Sequence, residues 1–184
     1  MVERARRVVI RAYMGYGGGG ATRNTGFRGY GRTSNGGPAQ AWHGWPERVP
    51  SVVERLRGVV IESRPAAEVI HNQDGEDTLF YVDPPYLVET RGARERVYSV
   101  EFEREEHGDL AQVLHEAQGM VIVSGYPSAY YDGDLYADWH RVEREALADG
   151  AARRTEVLWI SPRAWEARTR QAALWVPQEV GVWA

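Results

Sequence analysis

The 184-residue chain is long enough to build one domain with a true core, and its 43% hydrophobic and 26% charged residues are globular proportions. It has no cysteine, which excludes disulfides and thiolate metal sites and fits a reducing, cytoplasmic setting, and no apolar run long enough to cross a membrane. Its formal charge of −4 conceals a split, because residues 1–65 carry eleven Arg against four Glu and no Asp, and residues 66–184 carry eleven Arg against twenty-two acids. Every basic residue is Arg, which coding bias explains, but bias does not explain the segregation. A basic N-terminal third is a plausible phosphate-contacting surface.

In chain order, Met1 to Arg7 leads into no apolar stretch of the signal-peptide type. Glu3 to Met14 is rich in helix formers and predicts a helix. Residues 15–37 hold ten of the twenty glycines, interrupted by Tyr16, Phe27 and Tyr30, and read as an irregular module rather than a linker. Trp42, Trp45, Pro46 and Pro50 continue that irregularity over 38–50. Ser51 is placed to cap a short helix through Leu56. Gly58 to Glu62 predicts a strand, and Pro65 starts a helix over Ala66 to Ile70. After the turn His71-Asn72-Gln73-Asp74-Gly75 comes Thr78-Leu79-Phe80-Tyr81-Val82, a buried-type strand.

Leu110, Val113, Leu114 and Ala117 recur at i, i+3, i+4 and i+7, the stripe of an amphipathic helix over 105–118. Met120 to Ser124 predicts a second buried strand, closed by Gly125-Tyr126-Pro127. A short helix over 133–139 follows. His140 to Ala146 and Thr155 to Ile160 predict a hairpin about Asp149-Gly150. The tail from Pro162 shows no clean periodicity. The fold class is therefore α/β, a mainly parallel sheet ending in an antiparallel C-terminal hairpin. The organisation is a target-contacting segment over 1–56 and a catalytic α/β part over 57–184.

Asp83-Pro84-Pro85-Tyr86 directly follows the first buried strand, where an α/β sheet delivers residues to its carboxyl edge. An exocyclic base amine is a poor nucleophile because its lone pair is delocalised into the ring. Two acceptors on its hydrogens release that pair. The Asp83 carboxylate is one, and the carbonyl of Pro84, held by a stiff Pro-Pro step, is the other. Tyr86 offers a face on which a base lifted out of a duplex can stack. Pro-Pro alone would signal only a strand end. Tetrapeptides of this type serve amine methylation on DNA, RNA or protein, so the target stays open at this point.

The resemblance widens beyond the tetrapeptide. The chain resembles the DNA adenine methylase family, especially its phage and prophage members. The matching stretches are Arg6 to Arg11, Arg23-Asn24-Thr25-Gly26-Phe27-Arg28, Trp42 with Pro46-Glu47-Arg48, Phe80 to Tyr86, and His107 with Leu110. Val123 to Ser128, Leu135-Tyr136 with Trp139, and Arg154 to Trp159 continue it, in family order over residues 5–161. The resemblance implies a Rossmann-like class I methyltransferase sheet, S-adenosylmethionine as methyl donor with Asp83 beside its methionine moiety, and double-stranded DNA as substrate. It places Arg23, Asn24 and Arg28 toward DNA.

Family members also carry a Gly-rich donor turn after a first strand, and Gly17-Gly18-Gly19-Gly20 follows a helix-like segment instead. The expectation is thus a chain lacking the donor-binding half, as a natural truncation, through a misplaced start codon, or as one half of a split enzyme that works with a separately encoded N-terminal half or through self-association. The rival readings are a non-catalytic DNA-binding remnant and an amine methyltransferase acting on cytosine or RNA. The five histidines show no metal spacing, and Asp132, Asp134 and Asp138 read as a solvated helix start. Ser124, at a strand end, is expected to shape the pocket rather than to act as a nucleophile.

Overall fold

The computed structural model describes residues 1–15, 42–90, 101–147 and 153–174. The chain divides into two compact units, Met1–Ile61 and Glu62–Ala184. The first unit contains α1, Val2–Met14, and α2, Trp45–Arg55. On α1, Glu3 accepts from both Arg6 and Arg7, one turn away, and these cations hold its carboxyl down at about 2. Helix α2 begins six residues before the Ser51 cap expected for it. Pro46 sits in its first turn, where a missing N–H costs nothing, and the Ser51 hydroxyl instead donates back to the Arg48 carbonyl at 2.8 Å. Its Val49, Val52, Val53 and Leu56 side chains are exposed.

The strand expected at Gly58 to Glu62 does not form. Gly58 takes φ +81, a left-handed turn, and Val59, Val60 and Ile61 run on exposed with no ladder among the described residues. Apolar β-branched content is not enough for a strand, which also requires a partner for its backbone groups.

The second unit is a four-stranded sheet with helices. Helix α3 spans Ala66–Gln73, β1 Leu79–Val82, α4 Arg104–Glu116, β2 Met120–Gly125, β3 His140–Leu147, β4 Arg153–Ile160 and α5 Pro162–Leu174. The strand order is β1-β2-β4-β3. β1 and β2 are parallel, while β2 with β4 and β4 with β3 are antiparallel. The C-terminal hairpin is present, its Asp149-Gly150 turn lying outside the described residues. One of the three described pairings is parallel, where a mainly parallel sheet was expected. The architecture is mixed α/β.

Helix α4 buries His107, Leu110, Ala111 and Leu114, a stripe turned slightly from the one read in sequence, with Val113 and Ala117 at its margin. Its start is fixed by Glu106, whose carboxylate accepts the Glu103 backbone N–H at 2.7 Å. The short helix expected over 133–139 is a π-helical turn at Tyr131–Leu135, closed by the Tyr136 N–H on the Tyr131 carbonyl. The apolar tail contains α5, which its sequence periodicity did not reveal. The start signal is Ser161-Pro162: the Ser161 hydroxyl accepts from Ala164 N at 3.3 Å and from Val121 N at 3.0 Å, so one side chain caps α5 and ties it to β2.

The core lies between the sheet and its helices. Val121, Val123, Val157 and Trp159 are at most 1% exposed, and each aliphatic side chain so buried contributes about 1.5–3 kcal/mol. Trp159 packs edge-on against Tyr131, with ring centroids 4.8 Å apart, and donates its indole N–H to Asp132. Asp132 also pairs with Arg141 at 2.8 Å, and Asp134 faces Arg104, so two acids of the expected helix start are held by arginines. His107 lies buried with its Nδ1 2.7 Å from the Tyr131 hydroxyl. His115 donates from Nε2 to the Leu135 carbonyl and accepts the Trp139 indole at Nδ1.

The parallel pair is pinned at its amino end. The two Asp74 carboxylate oxygens accept the Gln118 and Gly119 backbone N–H groups, both at 2.9 Å, and Met120 N donates to the Thr78 carbonyl at 2.8 Å. Gly119 has no room for a side chain, since a Cβ there would lie 2.9 Å from the Thr78 carbonyl oxygen. These N–H donors hold the Asp74 carboxyl below its ordinary value of 3.8. A depressed carboxyl stabilises the fold above its unfolded-state value and loses that contribution as pH falls through the folded one. Asp74→Ala should therefore lower the melting temperature near neutral pH and shrink the further loss on acidification below about pH 4. Thermal melts of both proteins across that range check this, and parallel curves would contradict it.

Candidate active site

The tetrapeptide begins where β1 ends. The register pairs Val82 with Val123, so the next residue on each strand, Asp83 and Ser124, emerges side by side at the carboxyl end of the parallel pair. Asp83 is exposed, while Ser124 is only 7% exposed. The Ser124 hydroxyl donates to Asp83 Oδ1 at 2.9 Å and leans toward the Val82 carbonyl at 3.3 Å. Pro84 is buried, Pro85 half-buried, and Leu87 anchors the segment at 5% exposure. A 3-10 turn at Val88–Thr90 closes it, with both the backbone N–H and the hydroxyl of Thr90 on the Leu87 carbonyl. The backbone that carries the two prolines is therefore fixed at both ends.

Tyr86 is half-buried, with its ring edge-to-face with Tyr126 at 4.5 Å and 70°. Burial, and then the negative charge of the nearby Asp83 carboxylate, push its phenol above the ordinary value of 10.0. Tyr126 is held in turn by Arg154 of β4, which donates to its hydroxyl at 3.0 Å and lies 5.3 Å from its ring centre. Together Tyr86, Leu87, Thr90, Gly125, Tyr126 and Tyr131 close around a narrow crevice with no free room even for a water molecule. Gly125 is what lets the crevice close against the core, since a Cβ there would come within 3.2 Å of the Trp159 ring.

Of the residues singled out in sequence, the structure brings Asp83, Pro84, Pro85 and Tyr86 to one edge of the sheet. Arg23, Asn24 and Arg28, with the glycine run before them, lie outside the described residues. Sequence reasoning left out Tyr126 and Arg154 as site residues. The available signal for Tyr126 was its place just after a strand end parallel to β1. None marked Arg154, whose approach depends on the antiparallel register of β4. Among the described residues no group of three or more His, Asp or Glu side chains is placed to hold a metal ion, and no helix is long and apolar enough to cross a membrane.

Chemically, the edge offers an exposed carboxylate, a constrained Pro-Pro backbone segment and two aromatic rings in edge-to-face contact. That set suits a planar, hydrogen-bond-donating ligand held by acceptors at its edge and rings at its face. Comparison with known protein families gives a match over residues 46–149 to the family described as D12 class N6 adenine-specific DNA methyltransferase, which takes in α2, the tetrapeptide and β2. No curated protein matches the chain.

The coupling of Tyr86 to Asp83 is measurable. Asp83→Asn removes the anion beside the phenol, so the Tyr86 titration should move down toward 10.0 while burial keeps it above that value. A carbon-13 NMR titration of the Tyr86 ring would follow it. An unshifted titration in the variant would mean that the hydroxyl and the carboxylate do not meet.

Proposed function

The chain belongs to the D12 class of N6 adenine-specific DNA methyltransferases, and on that premise we propose that it transfers a methyl group from S-adenosylmethionine to the exocyclic amine of adenine in duplex DNA. The observation that carries this reading is the placement of Asp83 at the carboxyl end of β1, beside β2, with the two prolines and Tyr86 immediately after it. The sheet is read as part of a Rossmann-like class I methyltransferase fold, in which the parallel β1–β2 pair forms the ligand-facing edge.

In this mechanism Asp83 and the Pro84 carbonyl accept the two amine hydrogens of an adenine rotated out of the helix. Drawing the nitrogen toward tetrahedral geometry frees its lone pair. That pair would then be free to take a methyl group, with the donor leaving as its thioether. The extra proton on nitrogen leaves through Asp83 to solvent. S-adenosylmethionine, when bound, supplies the electrophilic methyl. The exposed Asp83 carboxylate suits its ammonium group, and Asp83 is the residue assigned to hold it. Tyr86 stacks on the base, and Tyr126, braced by Arg154, keeps the Tyr86 ring from rotating away.

Substitution separates chemistry from binding. Asp83→Ala should abolish tritium transfer to duplex DNA while leaving binding, read by fluorescence anisotropy, within a few-fold of the parent. Retained turnover would remove Asp83 from the reaction. Tyr86→Ala should cost roughly 1–3 kcal/mol of base stacking and Tyr86→Phe much less. Equal losses in the two would assign the function to the hydroxyl instead.

Duplex DNA is the proposed partner, contacted by the basic N-terminal third through Arg23, Asn24 and Arg28. Part of that charge is neutralised within the chain, because Arg6 and Arg7 pair with Glu3 and Arg57 with Glu54. Affinity should fall steeply with salt as phosphate contacts release counterions. Replacing Arg23 and Arg28 together by Ala should flatten the log–log slope by roughly 2, close to one per lost phosphate contact. An unchanged slope would move the DNA surface elsewhere on the chain.

A further inference from the structure

Asp83 has a neighbour whose position is fixed far better than its own. Ser124 is a residue of β2, and its backbone is held in the ladder opposite Leu158 of β4 while the adjoining Val123 pairs with Val82. Its side chain is 7% exposed. Asp83 stands one residue past the end of β1, outside the strand and exposed. The contact between them is therefore asymmetric: a buried donor within a strand meets an exposed acceptor beyond a strand end.

A serine hydroxyl has one hydrogen to give. Two acceptors compete for it, Asp83 Oδ1 at 2.9 Å and the Val82 carbonyl at 3.3 Å. The carboxylate is both nearer and charged, so it takes the stronger bond. Val82 and Asp83 are consecutive, so Ser124 grips the end of β1 and the carboxylate that follows it with one group.

On the reading that Asp83 accepts an amine hydrogen, we propose that Ser124 is the positioning residue for Asp83, holding Oδ1 so that the second carboxylate oxygen is presented to the substrate amine. Ser124 makes no contact with the reacting atoms and acts only through Asp83. Tyr86 is not equivalent, because its ring is assigned to the base. The register explains why the hydroxyl sits at 124. A residue one position earlier points to the opposite face of the sheet, and one position later is Gly125, which must stay small against Trp159. A misplacement of Asp83 by about 1 Å is enough to cost a large factor in rate without weakening binding.

The test compares Ser124→Ala with Ser124→Thr in the full chain, using two independent readouts. The first is the set of three-bond couplings to the Asp83 carboxyl carbon, which report its side-chain rotamer by NMR and need no turnover. They should indicate one rotamer in the parent, averaging in Ser124→Ala and return to one rotamer in Ser124→Thr. The second is methyl transfer, where Ser124→Ala should lose roughly tenfold or more in kcat with the KM for DNA little changed, and Ser124→Thr should recover most of it. Ser124→Ala that keeps the parent couplings, or turns over within twofold of the parent, overturns the proposal. Couplings that respond as expected where neither the chain alone nor the chain with a separately supplied donor-binding half transfers a methyl group establish the positioning contact and overturn the methyltransferase reading instead. Melting temperatures of both variants show whether the measurements are made on folded protein. If Thr does not fit, Ser124→Cys, which keeps a weak donor of similar shape, takes its place with the same expectation of partial recovery.

Discussion

The parallel register of β1 on β2, Leu79 opposite Met120 through Val82 opposite Val123, determines where every group of the site stands. A slip of one residue would carry each side chain of β1 to the other face of the sheet and separate Asp83 from Ser124. Two constraints fix the register. At the amino end, Asp74 binds the Gln118 and Gly119 N–H groups, and the close approach of Gly119 to Thr78 admits no side chain. Along β2, Val121 and Val123 are buried against helices and neighbouring strands, so that face cannot turn outward without losing the core. The carboxylate at one end of the strand pair thus sets the geometry of the carboxylate at the other.

Beneath the site lies an aromatic layer. Trp159 meets Tyr131 and Tyr136, Tyr136 meets Trp139, and His115 stacks on Tyr136. Aromatic ring contacts of this kind contribute about 0.5–1.5 kcal/mol each beyond area burial. The polar ends of these rings are satisfied locally, the Trp159 indole by Asp132 and the Tyr131 hydroxyl by His107. Burial pushes the Tyr131 and Tyr136 phenols well above their usual range, so these two hydroxyls stay uncharged at any ordinary pH. Gly125 then allows Tyr126 to leave the strand directly over this support.

The two halves of the sheet do different work. The β2–β4–β3 side is antiparallel and bound into the core through Val157, Trp159 and Ile160. β1 is an edge strand among the described residues, and Leu79 and Tyr81 on it are 55% and 63% exposed. An apolar edge with unpaired backbone groups invites another strand. The chemistry-bearing residues therefore sit at the less constrained margin of the fold, and contacts such as Ser124 with Asp83 and Arg154 with Tyr126 compensate for that by tying them to the better-held strands.

Much of this was legible along the chain. Leu-Phe-Tyr-Val stopping at Asp-Pro-Pro-Tyr placed a strand end and its reactive edge, because apolar β-branched runs and proline act locally. The apolar repeat of α4 and the hairpin pattern were legible for the same reason, since helix and strand periods are written in consecutive residues. The start of α5 was present as Ser161-Pro162 but was outweighed by a tail without periodicity. Gly58 to Glu62 read as a strand from composition alone and is none, because a strand exists only with a ladder partner. The sequence by itself determined which residues can accept an amine hydrogen or stack on a base, and that a family tie exists. Only the tertiary structure decided that Ser124, 41 positions away, grips Asp83, that Tyr126 meets Tyr86, and that Arg154 braces Tyr126. Those contacts cross strands, and strand order and register are set by the burial of whole faces, which no local spacing records.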